Sequence, residues 1–142
     1  MEKKIKVFLD SNVLFSIAYM GKEKSRSYLI YEIQRMGIIQ VCLSTLVCDE
    51  TLSNIRRKKP DSESLLKDLI EKSKILGDIA GDLKHGEIRK LPQNDRIILT
   101  TAIYHKADIF VTGNEKDFKK LYHKKVFNTI VLRPIDFLNM NF

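Results

Sequence analysis

The chain has few of the residues that mark thiolate metal sites, disulfide frameworks and membrane segments. Its 142 residues include two cysteines and three histidines, and Cys42 and Cys48 form no C-x-x-C pair. We therefore expect two free, mostly buried thiols and no zinc site. No apolar run approaches the roughly 20 residues that a membrane span needs, and no small-residue cleavage site follows the apolar N-terminal run. These absences favour a cytoplasmic protein with no membrane partner.

Glycine and proline are also scarce, with six and three residues. We find no linker-like tract, no internal repeat and no low-complexity segment, so the length predicts a single domain over residues 1–142. Acidic residues are outnumbered, and the formal net charge is +7. A basic balance favours polyanionic partners, because lysine and arginine bind phosphates and release counterions.

Short apolar runs alternate with helical patterns along the chain. The predicted strands cover residues 5–10, 38–43, 108–112 and 128–132. The predicted helices cover residues 23–36, 45–58, 62–76, 95–106 and 115–122, and Pro134 opens a last turn. Ser44 is a predicted cap, and so is Asn94 or its neighbour. Residues 77–93 are predicted to be loops with a short helical turn. Continuous apolar strands between helices predict an α/β three-layer sandwich with a central, mainly parallel sheet of about four to five strands.

Carboxylates follow the strands of this sheet or begin the helices beside it. Asp10 ends the first strand in the run IKVFLDSNVL, Glu50 lies in the helix after the second strand, Asp95 opens a later helix, and Asp117 follows the third strand. Because parallel sheets place ligands at the carboxyl ends of their strands, these acids are candidates for one pocket.

Carboxylates crowded together repel one another, and a divalent cation stabilises such a cluster. Hard oxygen ligands select Mg²⁺ or Mn²⁺, which can activate water for phosphodiester hydrolysis. Each acid also has a simpler explanation. Asp10 can cap a turn with Ser11 and Asn12, Glu50 can be an exposed helix residue, and Asp95 and Asp117 can be first-turn charges favoured by the helix dipole.

The ordered set of motifs resembles the PIN domain, the nuclease fold of many VapC-type toxins. The resemblance runs from about residue 5 to residue 137 and rests on three stretches: VFLDSNVLFS, STLVCDE and NDRIILTTAIYHKADIFVTGNEKDF. It implies a Mg²⁺- or Mn²⁺-dependent endoribonuclease that cuts single-stranded RNA and leaves a 5′-phosphate. It also implies a homodimer and a small antitoxin partner.

The resemblance assigns the metal site to Asp10, Glu50, Asp95 and Asp117, with Asp117 completing the set. Ser11, Asn12 and Thr112 match positions that orient the acids or reach the phosphate. One position departs from the common pattern, because Asn114 stands where many members have aspartate. The resemblance implies that Asn114 is a neutral oxygen ligand or a positioning group.

Two basic runs are candidates for the RNA path, and a solvated surface is the alternative for each. They are Arg56, Arg57, Lys58 and Lys59, and then Lys119, Lys120, His123, Lys124 and Lys125.

Other protein classes fit the sequence less well. A receiver domain needs an acidic pair that the chain lacks before its first helix, and a dehalogenase-type phosphatase needs D-x-D where the chain has DSN. A non-catalytic RNA- or protein-binding module and a housekeeping RNA-processing nuclease stay open as alternatives.

Overall fold

The computed structural model describes residues 3–142, which form strands and helices in alternation. The strands are β1 (Ile5–Leu9), β2 (Ile39–Ser44), β3 (Lys74–Leu76), β4 (Ile109–Val111), β5 (Lys125–Val126) and β6 (Thr129–Leu132). The helices are α1 (Ser11–Lys24), α2 (Leu29–Arg35), α3 (Thr45–Lys58), α4 (Glu63–Glu71), α5 (Gly86–Arg89), α6 (Gln93–Tyr104), α7 (Glu115–Phe118) and α8 (Pro134–Leu138).

The strands form one twisted sheet in the order β3-β2-β1-β4-β6-β5, and helices flank it. Strands β1 to β4 and β6 are parallel, and β5 pairs with β6 in the antiparallel sense. The α/β sandwich predicted from the sequence is therefore confirmed, although the described residues form six strands rather than four to five. The strands that follow β1 in sequence, β2 and β3, lie on one side of it, and β4 lies on the other side. The order of the strands therefore reverses between β1 and β4, and sheets of this kind bind ligands at the carboxyl ends of the strands at such a switch point.

The core is built from the apolar strands and the inner faces of the helices. Val7, Phe8 and Leu9 are fully buried in β1. The Phe8 and Phe110 rings stack at 5.7 Å between centroids on neighbouring strands, and such pairs stabilise a sheet beyond their buried area. Within residues 3–142, no helix is long and apolar enough to cross a membrane.

The first helix is the largest difference from the sequence prediction. The predicted helix over 23–36 is wrong in its extent, because α1 already begins at Ser11 and α2 begins only at Leu29, after a short 3-10 turn. Asp10 caps α1 by accepting a hydrogen bond from the Ser11 backbone N–H at 2.8 Å. Near the other end, Gly21 has a φ of +85°, which L residues rarely adopt, and the helix is kinked there.

Other boundaries also differ. The predicted helix over 62–76 ends at Glu71, and its last residues form the edge strand β3 beside β2. Pro92 occupies the N-cap position of helix α6, rather than Asn94 or its neighbour, and makes no side-chain cap. The predicted helix over 115–122 is α7 followed by a 3-10 turn. Residues 77–93 contain only the short helix α5 and the start of α6, as predicted.

The Ser44 cap gives a first testable prediction. The Ser44 hydroxyl accepts a hydrogen bond from the Val47 N–H at 3.2 Å, as predicted, and the side chain is fully buried. We expect Ser44→Ala to lower the free energy of unfolding by about 1 kcal/mol in urea denaturation. Ser16, which is exposed, is the control. Ser16→Ala should change the free energy of unfolding by less than about 0.5 kcal/mol. Equal effects of the two substitutions would contradict the capping role.

Candidate active site

Asp10 lies at the switch point, directly after β1. Its side chain is 2% exposed and accepts three hydrogen bonds. Ser11 N–H donates to Oδ1 at 2.8 Å, while Asn12 Nδ2 at 3.0 Å and Thr112 Oγ1 at 2.8 Å donate to Oδ2. Thr112 follows β4, so its bond to Asp10 joins the ends of the two strands that define the switch point.

These bonds do not fully offset the burial of the carboxylate. The pKa of Asp10 is raised from about 3.8 to about 6, chiefly because burial disfavours the charged form and to a smaller extent because Glu50 is near, while the bonds from Thr112, Ser11 and Asn12 lower it. The helix-cap explanation for Asp10 is thus correct but incomplete. A cap alone needs no burial beside other acids, whereas a cation would compensate a buried carboxylate of this kind.

Glu50 faces Asp10 from α3 and is held at both carboxylate oxygens. The Ser11 hydroxyl donates to Oε1 at 2.6 Å, and Asn94 Nδ2 donates to Oε2 at 2.8 Å. Asn94 was predicted as a helix cap, but its amide instead links the first turn of α6 to α3. Asp49, the neighbouring acid, is exposed.

Asp95 and Asp117 meet through Asn114. The Asn114 Nδ2 group donates to Asp117 Oδ2 at 2.9 Å and, more weakly, to Asp95 Oδ2 at 3.4 Å. Its Oδ1 accepts from the Asp117 backbone N–H at 3.3 Å and so caps α7. Because its amide nitrogen contacts both carboxylates, the geometry favours Asn114 as a positioning group over a metal ligand.

The carboxylates of the site repel one another electrostatically. The pKa of Asp95 is raised to about 7, first by burial and then by the nearby carboxylates of Asp10, Asp117 and Glu50. The other three predicted acids therefore lie within electrostatic range of Asp95, although the four come from separate segments of the chain. Repulsion of this kind, in a protein of net charge +7, marks a local concentration of negative charge.

Three of the acids, Asp10, Glu50 and Asp95, line a cavity of about 470 Å³, called the acidic cavity below. Its walls carry Asp10, Ser11, Asn12, Phe15, Glu50, Ser53, Asn54, Lys58 and Asp95. Asp117 instead lines a second cavity of about 270 Å³, together with Glu87, Leu121 and four lysines: Lys90, Lys116, Lys119 and Lys120.

The chemistry of this donor set fits a hard divalent cation, because carboxylate, hydroxyl and amide oxygens surround the acidic cavity. Within residues 3–142, no three His, Cys, Asp or Glu side chains are already arranged as a metal-ligand set. Instead, the hydroxyl and amide groups of Ser11, Asn12, Asn94, Asn114 and Thr112 hydrogen-bond to the carboxylates.

The predicted basic residues have different surroundings. Lys58 lines the acidic cavity, and Lys119 and Lys120 line the cavity beside Asp117. Arg56 is paired with Glu63 at 2.6 Å, Arg57 donates to Asn54, and Lys59 donates to the Tyr19 carbonyl. In the second run, His123 contacts Asp136 at 2.8 Å.

Several residues of the site were absent from the sequence prediction of functional residues. Asn94 holds Glu50, Phe15 lines the acidic cavity, and Lys90 and Lys116 line the cavity beside Asp117. The spacing of Val13, Leu14, Ile17 and Ala18 is helical and would have placed Phe15 on a helix directly after Asp10. No local signal identifies Asn94 or the two lysines, because their positions depend on how α5, α6 and α7 pack.

The fold and the acidic cavity define an α/β protein with a carboxylate centre at the switch point of its sheet. The family model of the PIN domain matches residues 7–124. Since this match covers most of the chain, the chain belongs to the PIN-domain family, and the resemblance noted in the sequence is confirmed.

Solved structures share the fold. VapBC2 from Rickettsia felis bound to a promoter DNA fragment matches with a TM-score of 0.63 and 18% identity, over 91% of this chain and 98% of the other. DNA-bound VapBC from Salmonella typhimurium matches with a TM-score of 0.65 and 16% identity, over 92% and 98%. VapBC-1 from nontypeable Haemophilus influenzae matches with a TM-score of 0.59 and 15% identity, over 92% and 99%. No curated protein sequence gives a significant match.

Proposed function

We propose that this chain is a Mg²⁺- or Mn²⁺-dependent endoribonuclease that hydrolyses single-stranded RNA. The observation that carries the proposal is that Asp10, Glu50 and Asp95, from three separate segments, line one cavity at the switch point of the sheet, with Asp117 linked to Asp95 through Asn114. The raised pKa of Asp10 and of Asp95 supports it. Membership of the PIN-domain family, which includes metal-dependent nucleases, supports the same reaction class.

Asp10, Glu50, Asp95 and Asp117 are the residues that would hold the metal. When bound, the ion would lower the pKa of a water molecule and stabilise the charge that develops on the phosphate. Mg²⁺ and Mn²⁺ both suit the oxygen donors, and the proposal covers either ion.

The other polar side chains position these acids. Thr112 and Asn12 fix Asp10 at the end of β1, and Ser11 and Asn94 fix both oxygens of Glu50 on the opposite wall. Asn114 sets the separation of Asp95 and Asp117. Positioned acids reduce the reorganisation that accompanies hydrolysis, because little movement is needed after the substrate binds.

Lysines on two sides of the acids supply a path for a polyanion. Lys58 lies on one side, and Lys119 and Lys120, joined by Lys90 and Lys116, lie on the side of Asp117. The acids alone would repel RNA, so flanking cations are needed to hold its phosphates. Arg56, Arg57 and Lys59 belong to the same proposed path, although each already has a partner within the protein.

We also propose that the protein is the toxin of a toxin–antitoxin pair, acts in the cytoplasm and forms a homodimer. The support is membership of the PIN-domain family and the fold shared with chains of VapBC structures. A small antitoxin encoded beside the gene and retained on the purified protein is the expected result. A gene without such a neighbour would instead favour a housekeeping RNA-processing nuclease.

The proposed reaction is tested by cleavage of end-labelled RNA. Purified protein is incubated with a single-stranded RNA and with a duplex RNA in Mg²⁺, Mn²⁺ or EDTA. We expect the single strand to be cut with either metal, no cutting in EDTA, and products that carry a 5′-phosphate.

Two other results would contradict the proposal in different ways. Cutting that persists in EDTA would exclude the metal-dependent reaction. Tight RNA binding without cutting in any metal would identify a binding module, the alternative that the Asn114 departure leaves open.

A further inference from the structure

Phe15 places an aromatic ring on the wall of the acidic cavity. Its neighbours in α1, Val13, Leu14 and Ile17, are buried in the core, whereas Phe15 is only partly buried. Of the described residues that line this cavity, Phe15 alone is aromatic. The ring therefore shares one space with Asp10, Glu50 and Asp95.

Lys58 lies over this ring from α3. Its Nζ atom is 5.4 Å from the Phe15 ring centroid, and within residues 3–142 it makes no ion pair. Lys58 is exposed, and a cation–π contact at an exposed site is weak. The ammonium group can thus leave the ring when a stronger anionic partner arrives.

A second aromatic residue extends the surface away from the acids. Tyr19 lies one helical turn after Phe15, with 5.5 Å between the ring centroids, and is 39% exposed. Lys59 is held beside it, with Nζ 5.0 Å from the ring centroid and a 2.8 Å bond to the Tyr19 carbonyl. A second pair of ring and lysine thus lies beside the Phe15–Lys58 pair, outside the cavity itself.

A ring with a cation beside it suits an unpaired nucleotide. A base stacks on an aromatic ring whatever its sequence, and a phosphate binds a lysine. A base within a duplex has both faces covered by its neighbours and cannot do this. The contact between Phe15 and Lys58 in the free protein would be exchanged for a base on the ring and a phosphate on the ammonium group.

We propose that Phe15 and Lys58 form a nucleotide subsite beside the cleavage centre, in which the ring stacks on an unpaired base and the lysine holds the adjacent phosphate. This inference rests on the proposed RNA substrate. It assigns the preference for single strands to the Phe15 ring, which acts as a positioning residue and not as a catalytic one.

The test measures RNA affinity in an Asp95→Asn background, in which cleavage is expected to be too slow to deplete the RNA during a titration. The probe is a fluorescently labelled eight-nucleotide oligouridine in Mg²⁺, titrated by anisotropy, together with a series in which one base at a time is removed. We expect Phe15→Leu to weaken binding about tenfold and Phe15→Trp to stay within about twofold of the parent. Leucine keeps the apolar volume but lacks the flat ring.

The base-deleted oligonucleotides locate the partner of the ring. One of them should bind about tenfold more weakly to the parent, and the same deletion should have no further effect in Phe15→Leu, because both changes remove the same contact. Lys58→Met should reduce the slope of log affinity against log salt by about 0.7, the value for one phosphate on a single strand. Lys4→Met, at the opposite edge of the sheet, should leave this slope unchanged.

Several outcomes would overturn the subsite. Equal RNA affinities of Phe15→Leu and the parent, with a lower melting temperature for the variant, would assign the ring to packing alone. A base-deletion penalty that is the same in both proteins would also contradict it. Failure of the proposed function is distinguishable, because the wild-type protein would then leave RNA uncut in Mn²⁺ whether or not Phe15 contributes to binding.

Discussion

Asp10→Asn and Asp95→Asn are expected to lower the rate of RNA cleavage by about 10²- to 10³-fold each, because each removes a charge that holds the metal and stabilises the phosphate. Asp49→Asn is the matched control. It removes an exposed acid one residue from Glu50 and should leave the rate within about twofold, since it changes no group of the acidic cavity. The cleavage rates of all three variants are measured with a labelled RNA under single-turnover conditions.

Asp10→Asn and Asp95→Asn should not be less stable than the wild-type protein in metal-free buffer at pH 8. Asp95→Asn removes a charge that Asp10, Asp117 and Glu50 repel, so its free energy of unfolding should rise by about 1 kcal/mol. A loss of activity that accompanies unfolding would not support the catalytic role. Cleavage at the wild-type rate by folded Asp10→Asn would contradict it.

Metal binding should stabilise the folded protein strongly at pH 8 and weakly at pH 5. Mn²⁺ at about 100 times its dissociation constant is expected to add about 2.7 kcal/mol to the free energy of unfolding. For a domain of this size, this raises the melting temperature by roughly 5 to 10 °C. Protons compete with the ion, so below pH 6, where Asp10 and Asp95 hold protons, the rise should be less than half as large.

Without metal, the contribution of these acids to the stability of the fold falls as pH rises, whereas the stabilisation by metal increases. The folded-state pKa values of Asp10 and Asp95, about 6 and about 7, exceed their ordinary value of 3.8. These two groups therefore favour the folded state most below about pH 4, and this contribution is lost as pH rises through 6 and 7. Differential scanning fluorimetry at pH 5 and pH 8, with and without Mn²⁺, measures both effects. An equal metal shift at the two pH values, or an undiminished shift in the double variant Asp10→Asn with Asp95→Asn, would exclude the acids as ligands.

The sequence was sufficient to predict the sheet because its strands are short, continuous apolar runs. β1, β2, β4 and β6 were predicted within two residues of their observed ends. β3 was hidden inside a helical pattern, since three residues at a sheet edge carry no periodicity of their own. β5 has only two residues and depends on its pairing with β6.

The placement of the four acids at one end of the sheet could be predicted because parallel topology brings the ends of strands together without knowledge of side-chain packing; their role as metal ligands stays a prediction. The roles of Asn94 and Asn114 could not, because each depends on which carboxylate its amide reaches in the folded protein. The start of α1 is intermediate in difficulty. Its apolar spacing was visible, but the cap is an aspartate that also lies among the acids, and sequence alone does not separate these two roles.

The most direct test of the carboxylate centre is the anomalous diffraction of crystals soaked in Mn²⁺. We expect a peak among the carboxylates of Asp10, Glu50, Asp95 and Asp117, and its loss in crystals of Asp95→Asn. Mn²⁺ bound elsewhere, with none at these four residues while the same protein cuts RNA in Mn²⁺, would contradict the account.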